Sequence, residues 1–219
     1  LAVSVRASTQ VVKTFLGNIN IRTKYSARCL GEALEKVSAH LDKENIPTIL
    51  SWFQAALGDK DKYMRISAIG ALGNAAAHLG KENFPTILSW FQTALDKDMW
   101  VRGSSIKALG NVAAHLGKEN FPTILSLFQT TLDDKDWFVR SSATEALGNV
   151  AVHLGKENIP AILSWFQTAL GDKGMWVRGS AIKALGNVAA HLDKENIPTI
   201  LSWFQTALGD KDKDVRSWA

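Results

Sequence analysis

The fold of this chain is decided by residues 40–77, HLDKENIPTILSWFQAALGDKDKYMRISAIGALGNAAA, which recur nearly verbatim to the last residue. Further copies begin at His78, His115, His153 and His191, and the last of them stops at Ala219. A period of this length is typical of solenoids, in which one unit cannot bury its own apolar face and packs against its neighbours. The sequence therefore predicts a tandem array over residues 40–219, preceded by a divergent repeat or cap, residues 1–39.

The first half of each repeat predicts an amphipathic helix. In the copy that begins at residue 40, Ile46, Ile49 and Phe53 have the spacing of one helical face. Asn45 is expected to cap this helix, and proline is tolerated in a first helical turn because its missing N–H would have no partner there. All five prolines of the chain occupy the same repeat position: Pro47, Pro85, Pro122, Pro160 and Pro198.

The second half predicts another helix, as in residues 177–192, whose apolar side includes Ala181, Ile182, Leu185 and Val188. An Asp just before this helix can cap it and favour its dipole. A glycine recurs inside it despite a cost of roughly 1 kcal/mol, which indicates close approach of neighbouring helices. A further glycine after the helix predicts a left-handed C-cap. The capping Asp residues are Asp61, Asp98, Asp136 and Asp212; the internal glycines are Gly73, Gly110, Gly148 and Gly186; the C-cap glycines are Gly80, Gly117 and Gly155.

An arginine lies near the centre of the apolar side of each second helix. A buried guanidinium needs a partner, because an unpaired buried charge is costly. The obvious partner is an Asp six residues upstream, present in every copy. We therefore predict an Asp–Arg ladder, in which each Arg bridges its own or the neighbouring turn in bidentate fashion. Its members are Asp59 and Arg65, Asp96 and Arg102, Asp134 and Arg140, Asp172 and Arg178, and Asp210 and Arg216.

The order of Asp, Val and Arg, followed by alanines and Leu-Gly on one helix, resembles the HEAT repeat over about residues 40–219. The similarity is greatest to the short HEAT-like repeats of phycobilisome-lyase-related proteins. This resemblance implies an all-α fold, in which antiparallel helix pairs stack into a right-handed superhelix and the second helices line the concave face. It also implies that the chain binds proteins or peptides.

Given that placement, residues opposite the core on the second helices are the candidate contacts for a partner. Exposed aromatic side chains in a concave face are typical binding anchors, although each ring could instead pack on the neighbouring turn. A second position is Asn in four copies, and a third varies in charge. The candidate aromatic residues are Tyr63, Trp100, Phe138 and Trp176; the asparagines are Asn74, Asn111, Asn149 and Asn187; the variable charged residues are Lys107, Glu145 and Lys183.

Charge and cysteine content restrict the function. The chain has a net charge of +4, but the first 38 residues carry six of its 25 Lys and Arg and only two of its 21 Asp and Glu. The repeats are therefore neutral as a group, which disfavours a surface that tracks phosphates. No apolar run approaches the roughly 18 residues of a membrane span. The lone Cys29 excludes an internal disulfide and favours a reducing, cytoplasmic location.

These features favour a non-catalytic scaffold that binds a protein or peptide on its concave face. The alternatives are a nucleic-acid-binding array that stacks bases on its aromatic residues, and a purely architectural segment of a larger protein. Catalysis needs a unique group of reactive side chains, and no copy of the repeat differs from the others by such a group. We therefore expect no enzyme activity and no cofactor. One His per layer cannot surround a metal ion, so no metal site is expected. The last copy lacks a polar cap, which suggests a segment of a longer protein or end-to-end self-association.

Overall fold

The computed structural model describes residues 43–95, 98–115, 117–189 and 191–219, and these residues form α-helices and short 3-10 turns with no strand. The predicted all-α repeat architecture is confirmed, since every described copy contributes two helices. The predicted cap at residues 1–39 lies outside the described residues. The helices are α1 Ile46–Leu57, α2 Lys62–Ala75, α3 Phe84–Ala94, α4 Met99–Val112, α5 Phe121–Leu132, α6 Trp137–Ala151, α7 Ile159–Leu170, α8 Met175–Ala189, α9 Ile197–Leu208 and α10 Lys213–Trp218.

The chain divides into two compact units, one that ends at Ala94 and one that begins at Leu95. Helices α1–α3 belong to the first unit and α4–α10 to the second. In the first unit, Phe53 of α1 and Leu72 of α2 are fully buried. In the second unit, Phe128 and Phe166 have the same role as Phe53. The apolar stripes that the sequence predicts therefore form the core of each unit.

The start of each first helix differs from the prediction. Asn45 precedes α1, but its backbone is already helical (φ −93°, ψ −18°) and its side chain makes no capping hydrogen bond. The KEN segment before α1, Lys43–Asn45, forms a 3-10 turn that runs directly into the helix. A capping side chain needs an extended backbone at the cap, so the predicted Asn cap is wrong. In the next copy, the Asn83 side chain instead donates to the carbonyl of Leu79 at 2.7 Å.

The Asp caps of the second helices are confirmed in two copies. Asp61 accepts a hydrogen bond from the backbone N–H of Tyr63, and Asp98 accepts from those of Trp100 and Val101. Asp136 has the extended backbone of a cap, but its side chain does not cap its helix. Its carboxylate is bound by an arginine of the preceding repeat, which competes with the helix N-terminus.

The glycines between repeats take two conformations. Gly80 and Gly117 have φ values of +84° and +79°, a region that disfavours other residues. At Gly155 the prediction of a left-handed cap is wrong, because its backbone is extended (φ −58°, ψ 160°). The same chain reversal is therefore made in two ways.

The second helices pack together much more closely than the first helices do within the second unit. An ideal Cβ on Gly110 would lie 2.6 Å from the Cβ of Ala146, and one on Gly148 would lie 2.6 Å from the Cβ of Ala184. Glycine therefore permits the close contacts of α4 with α6 and of α6 with α8. That the second helices line a concave face stays a prediction from the resemblance.

Candidate protein-binding surface

The Asp–Arg ladder fixes how neighbouring repeats stack in the second unit. Arg140 of α6 donates from Nε and Nη2 to the two carboxylate oxygens of Asp172, at 2.7 and 2.9 Å. Asp172 lies in the turn of the following repeat, 32 residues along the chain. The Nη1 group of Arg140 turns back to its own repeat and donates to the carbonyls of Asp134 and Lys135. One guanidinium thus ties together two successive turns.

The same bidentate pairing occurs on both sides of Arg140. Arg102 binds both carboxylate oxygens of Asp134, and Arg178 binds both of Asp210. The Nη2 group of Arg102 also donates to Oδ2 of Asp136 at 2.7 Å. In the remaining copies, Nη1 of Arg65 donates to the carbonyl of Asp59 at 2.7 Å, and Nη1 of Arg216 donates to that of Asp210 at 2.6 Å. Asp96 lies outside the described residues.

Hydrogen bonds from the arginines stabilise the ionised forms of the ladder residues Asp172 and Asp210. Burial alone would raise the pKa of Asp172, but hydrogen bonds from Arg140 and from the N–H of Gly174 outweigh it and hold the pKa below its usual value. The hydrogen bond from Arg178 is the main cause that lowers the pKa of Asp210. These residues therefore join neighbouring repeats. Their charges pair with each other and are not available to a binding partner.

A continuous stack of rings follows the N-terminal ends of the second helices in the second unit. Trp100 contacts Phe138 with ring centroids 4.5 Å apart, and Trp137 contacts both Phe138 and Trp176, at 5.9 and 6.3 Å. Trp176 in turn contacts Trp218 at 5.6 Å. We call these five residues the ring stack. The two tryptophans that the sequence predicted as contact residues are largely exposed, Trp100 by 40% and Trp176 by 47%.

Three members of the ring stack, Trp100, Phe138 and Trp176, were predicted contact residues, whereas Trp137 and Trp218 were not. Trp137 is 41% exposed and bridges Phe138 to Trp176. Both missed residues depart from the repeat pattern, because the other described copies carry Met or Lys in place of the first and Ser in place of the second. That departure in otherwise near-identical copies was the available signal.

Polar side chains form a parallel band on the exposed side of the same helices. Lys107 of α4 pairs with Glu145 of α6 at 2.8 Å, and both side chains are about half exposed. One turn further along these helices, the amide of Asn149 donates to the side-chain oxygen of Asn111 at 3.4 Å. Asn187 and Lys183 continue the band on α8 and are exposed. The second unit thus brings most of the predicted contact residues onto one face.

Two predicted contact residues belong to the first unit. Tyr63 and Asn74 lie near opposite ends of α2, and both are exposed. The Nζ atom of Lys62 lies 5.4 Å from the centroid of the Tyr63 ring. The first unit therefore presents the same residue types on its own second helix.

The described residues contain no group of three or more His, Cys, Asp or Glu side chains that could hold a metal ion. Across the same residues, no helix combines the length and the apolar character needed to cross a bilayer.

The fold defines this chain as a helical-repeat protein. A family model of HEAT repeats matches residues 49–147, so this part of the chain is similar to HEAT repeats. The match is to HEAT repeats as a class. Among curated proteins, none matches the chain significantly.

Solved structures with similar folds are also helical-repeat proteins. An engineered protein aligns with 97% of this chain and 93% of its own at a TM-score of 0.57 and 21% identity. A designed armadillo repeat protein in complex with the peptide (KR)4 aligns with 91% of this chain and 92% of its own (TM-score 0.54, 18% identity). The karyopherin Kap121p bound to the SUMO protease Ulp1p has a TM-score of 0.69 and 19% identity over 88% of this chain, which spans only 20% of that protein. At these identities the likeness shows the fold alone.

Proposed function

We propose that this chain is a non-catalytic scaffold that binds a protein or peptide segment along the exposed side of its second helices. The observation that carries the proposal is the ring stack, which keeps large aromatic side chains exposed in one continuous row. Solenoids bind extended partners along such faces. The designed armadillo protein and the karyopherin, which share the fold, are seen with a peptide and with a protein.

The ring stack has the physical properties of a binding anchor. A monomeric protein rarely exposes a contiguous apolar patch unless it is used for interaction. Tryptophan is enriched among the residues that contribute most to binding, because it offers a large rigid surface at little cost in conformational entropy. In this chain the rings also support one another, so a partner meets a preordered row.

The polar band supplies what an apolar row lacks. The amide of Asn111 or Asn149 offers both donors and an acceptor, which match the N–H and C=O groups of a peptide main chain. The pair of Lys107 with Glu145 leaves mixed charge at the edge of the row. An apolar centre with a polar rim is the usual anatomy of a protein interface.

The alternative of a nucleic-acid-binding array requires a cationic face. On the described second helices the exposed Lys107 is neutralised by Glu145, and the buried arginines are occupied by the Asp–Arg ladder. Nucleic-acid binding would show affinity that falls steeply with salt, whereas apolar anchoring on tryptophan would not. Salt dependence therefore distinguishes the two functions directly.

The proposal is tested by selecting peptides from a displayed random library on the parent chain and then measuring their dissociation constants. The test variant is Trp100→Ala with Trp176→Ala, and the matched control is Trp165→Ala with Trp203→Ala, which removes two tryptophans from the first helices. Loss of two anchors is expected to weaken binding by roughly 30-fold or more, while the control stays close to the parent.

Both variants are checked by circular dichroism for retained helix. The proposal is refuted if the selected peptides bind the test variant as tightly as the parent, or if the control loses as much affinity. It is also refuted if no peptide is enriched on the parent over the test variant. Affinity for nucleic acid that falls steeply between low and high salt would favour the nucleic-acid alternative.

A further inference from the structure

We propose that Gly179 is the floor of a socket that binds an aromatic side chain of a partner, and that Trp218 occupies this socket from within the chain. This inference rests on the proposed function, because it names the chemistry that one part of the surface recognises. The ring of Trp218 lies directly on the glycine: an ideal Cβ on Gly179 would meet Cε3 and Cζ3 of Trp218 at 2.0 Å. Any side chain at this position would displace the ring.

The equivalent glycine two repeats earlier holds a ring in the same way. An ideal Cβ on Gly103 would lie 2.5 Å from Cε1 of Phe138. The two rings come from different positions of their repeats, since Phe138 lies two residues before the ladder arginine Arg140 and Trp218 lies two residues after Arg216. The common element is the glycine. Its missing side chain, and not a fixed sequence position, is what attracts the ring.

The repeat between them shows what happens without this glycine. Its equivalent residue is Ser141, whose hydroxyl lies 2.9 Å from that of Ser180. The ring of Trp176 is held instead by Trp137 on one side and Trp218 on the other. A side chain as small as serine therefore fills the space, and the socket exists only where glycine occurs.

The walls of the socket select the occupant. Trp176 forms one wall, with its ring centroid 5.6 Å from that of Trp218. Lys183 covers the ring, with Nζ 4.7 Å from its centroid. Lys107, at the same repeat position, pairs with Glu145, whereas Lys183 pairs with no carboxylate within the described part of the chain. The matching partner segment carries an aromatic residue next to a carboxylate, so that the ring enters the socket and the carboxylate meets the lysine.

The internal occupant can be exchanged. Trp218 is only half-buried, so solvent already reaches this residue. The other described copies carry serine at its repeat position, so the helix pair forms without a tryptophan there. In the last copy Asp214 takes the place of the aromatic residue that precedes the core Val, and Trp218 supplies the ring that this aspartate cannot. A partner ring therefore competes with Trp218 for one socket.

The test uses N-acetyl-L-tryptophan, a probe that carries both an indole and a carboxylate, and follows the amide resonances of Gly179 and Lys183 by NMR. In Trp218→Ser the socket is empty. The dissociation constant of the probe is expected to be roughly tenfold or more lower than in the parent, where Trp218 fills the socket for most of the time. N-acetyl-tryptophanamide, which lacks the carboxylate, should bind more weakly, and N-acetyl-leucine should not shift Gly179.

The matched control is Trp218→Ser combined with Gly179→Ala, in which the added methyl group fills the socket and binding should be lost. A second measurement needs no ligand: Gly179→Ala alone should expel the ring and move the indole N–H resonance of Trp218, which is assigned by its loss in Trp218→Ser. Circular dichroism checks that each variant keeps its helices.

Two results would overturn the socket. One is an unshifted Gly179 resonance in Trp218→Ser at saturating probe, and the other is equal binding by the Gly179→Ala double variant. Either result leaves the proposed function standing if selected peptides still require Trp100 and Trp176. Conversely, probe binding without any peptide dependence on those two residues would support the socket and refute the wider binding surface.

Discussion

Removal of Arg140 tests the Asp–Arg ladder at one of its buried pairs. In Arg140→Ala, the carboxylate of Asp172 loses two charge-assisted hydrogen bonds of 2.7 and 2.9 Å, and the carbonyls of Asp134 and Lys135 lose their shared donor. The side chains of Arg140 and Asp172 are only 9% and 14% exposed, so water replaces the lost partner poorly. A buried pair broken in this way costs about 3–5 kcal/mol of unfolding free energy.

The matched control is Lys107→Ala. Lys107 and Glu145 also join neighbouring second helices, but their side chains are 49% and 48% exposed. An exposed pair contributes only about 0–1 kcal/mol, because water screens its charges and two long side chains must be ordered. The two variants therefore separate burial from the mere presence of an ion pair.

The assay is equilibrium unfolding in urea, followed by circular dichroism, for the parent, both single variants, Asp172→Ala and the double variant Arg140→Ala with Asp172→Ala. Repeat arrays can unfold in stages, so the slopes of unfolding free energy against urea are compared first. Free energies are compared only between variants with equal slopes. The double variant should cost less than the sum of its single changes, since it leaves no buried charge unpaired. An Arg140→Ala protein within 1 kcal/mol of the parent, or no more affected than Lys107→Ala, would refute the reasoning.

Two further changes test the packing and the charges of the second unit. Gly148→Ala should destabilise the protein by about 1–3 kcal/mol, because the new Cβ would meet that of Ala184 at 2.6 Å. Gly186→Ala, which has nothing within 4 Å of the new Cβ, should be neutral or stabilise by up to about 1 kcal/mol. Equal urea midpoints for the two variants would contradict this reasoning. The lowered pKa of Asp172 means that its contribution is complete above the unfolded value of about 3.9 and is lost as the pH falls through the folded value. Thermal melting from pH 7 to 3 should therefore show a fall below about pH 4 that is smaller in Asp172→Asn.

The proposed socket at Gly179 changes how the ring stack is understood. A ring stack that simply packed against itself would have no reason to draw Phe138 and Trp218 onto glycines from two different sequence positions. A partner that presents an aromatic residue beside a carboxylate would extend the row of rings through a site that the chain itself already fills.

Local sequence determined the helix pair and its core. The apolar spacing of Ile49 and Phe53 and the position of Pro47 suffice to predict α1, because they depend only on contacts within one or two turns. The same reasoning placed an arginine on the buried face and required an Asp partner. It failed at Asn45 and Gly155, where the backbone of the linking turn decides, since a 3-10 turn or an extended glycine satisfies the chain reversal equally well.

Only the tertiary structure decided how one repeat meets the next. It pairs Arg140 with Asp172 of the following turn, brings Trp137 and Trp218 into the ring stack, and places a ring on Gly179. These contacts depend on the separation and rotation of neighbouring helices, which result from close packing at residues such as Gly148. A repeat period fixes which residues recur, but the distance between recurring helices is set by the side chains that all the repeats pack together.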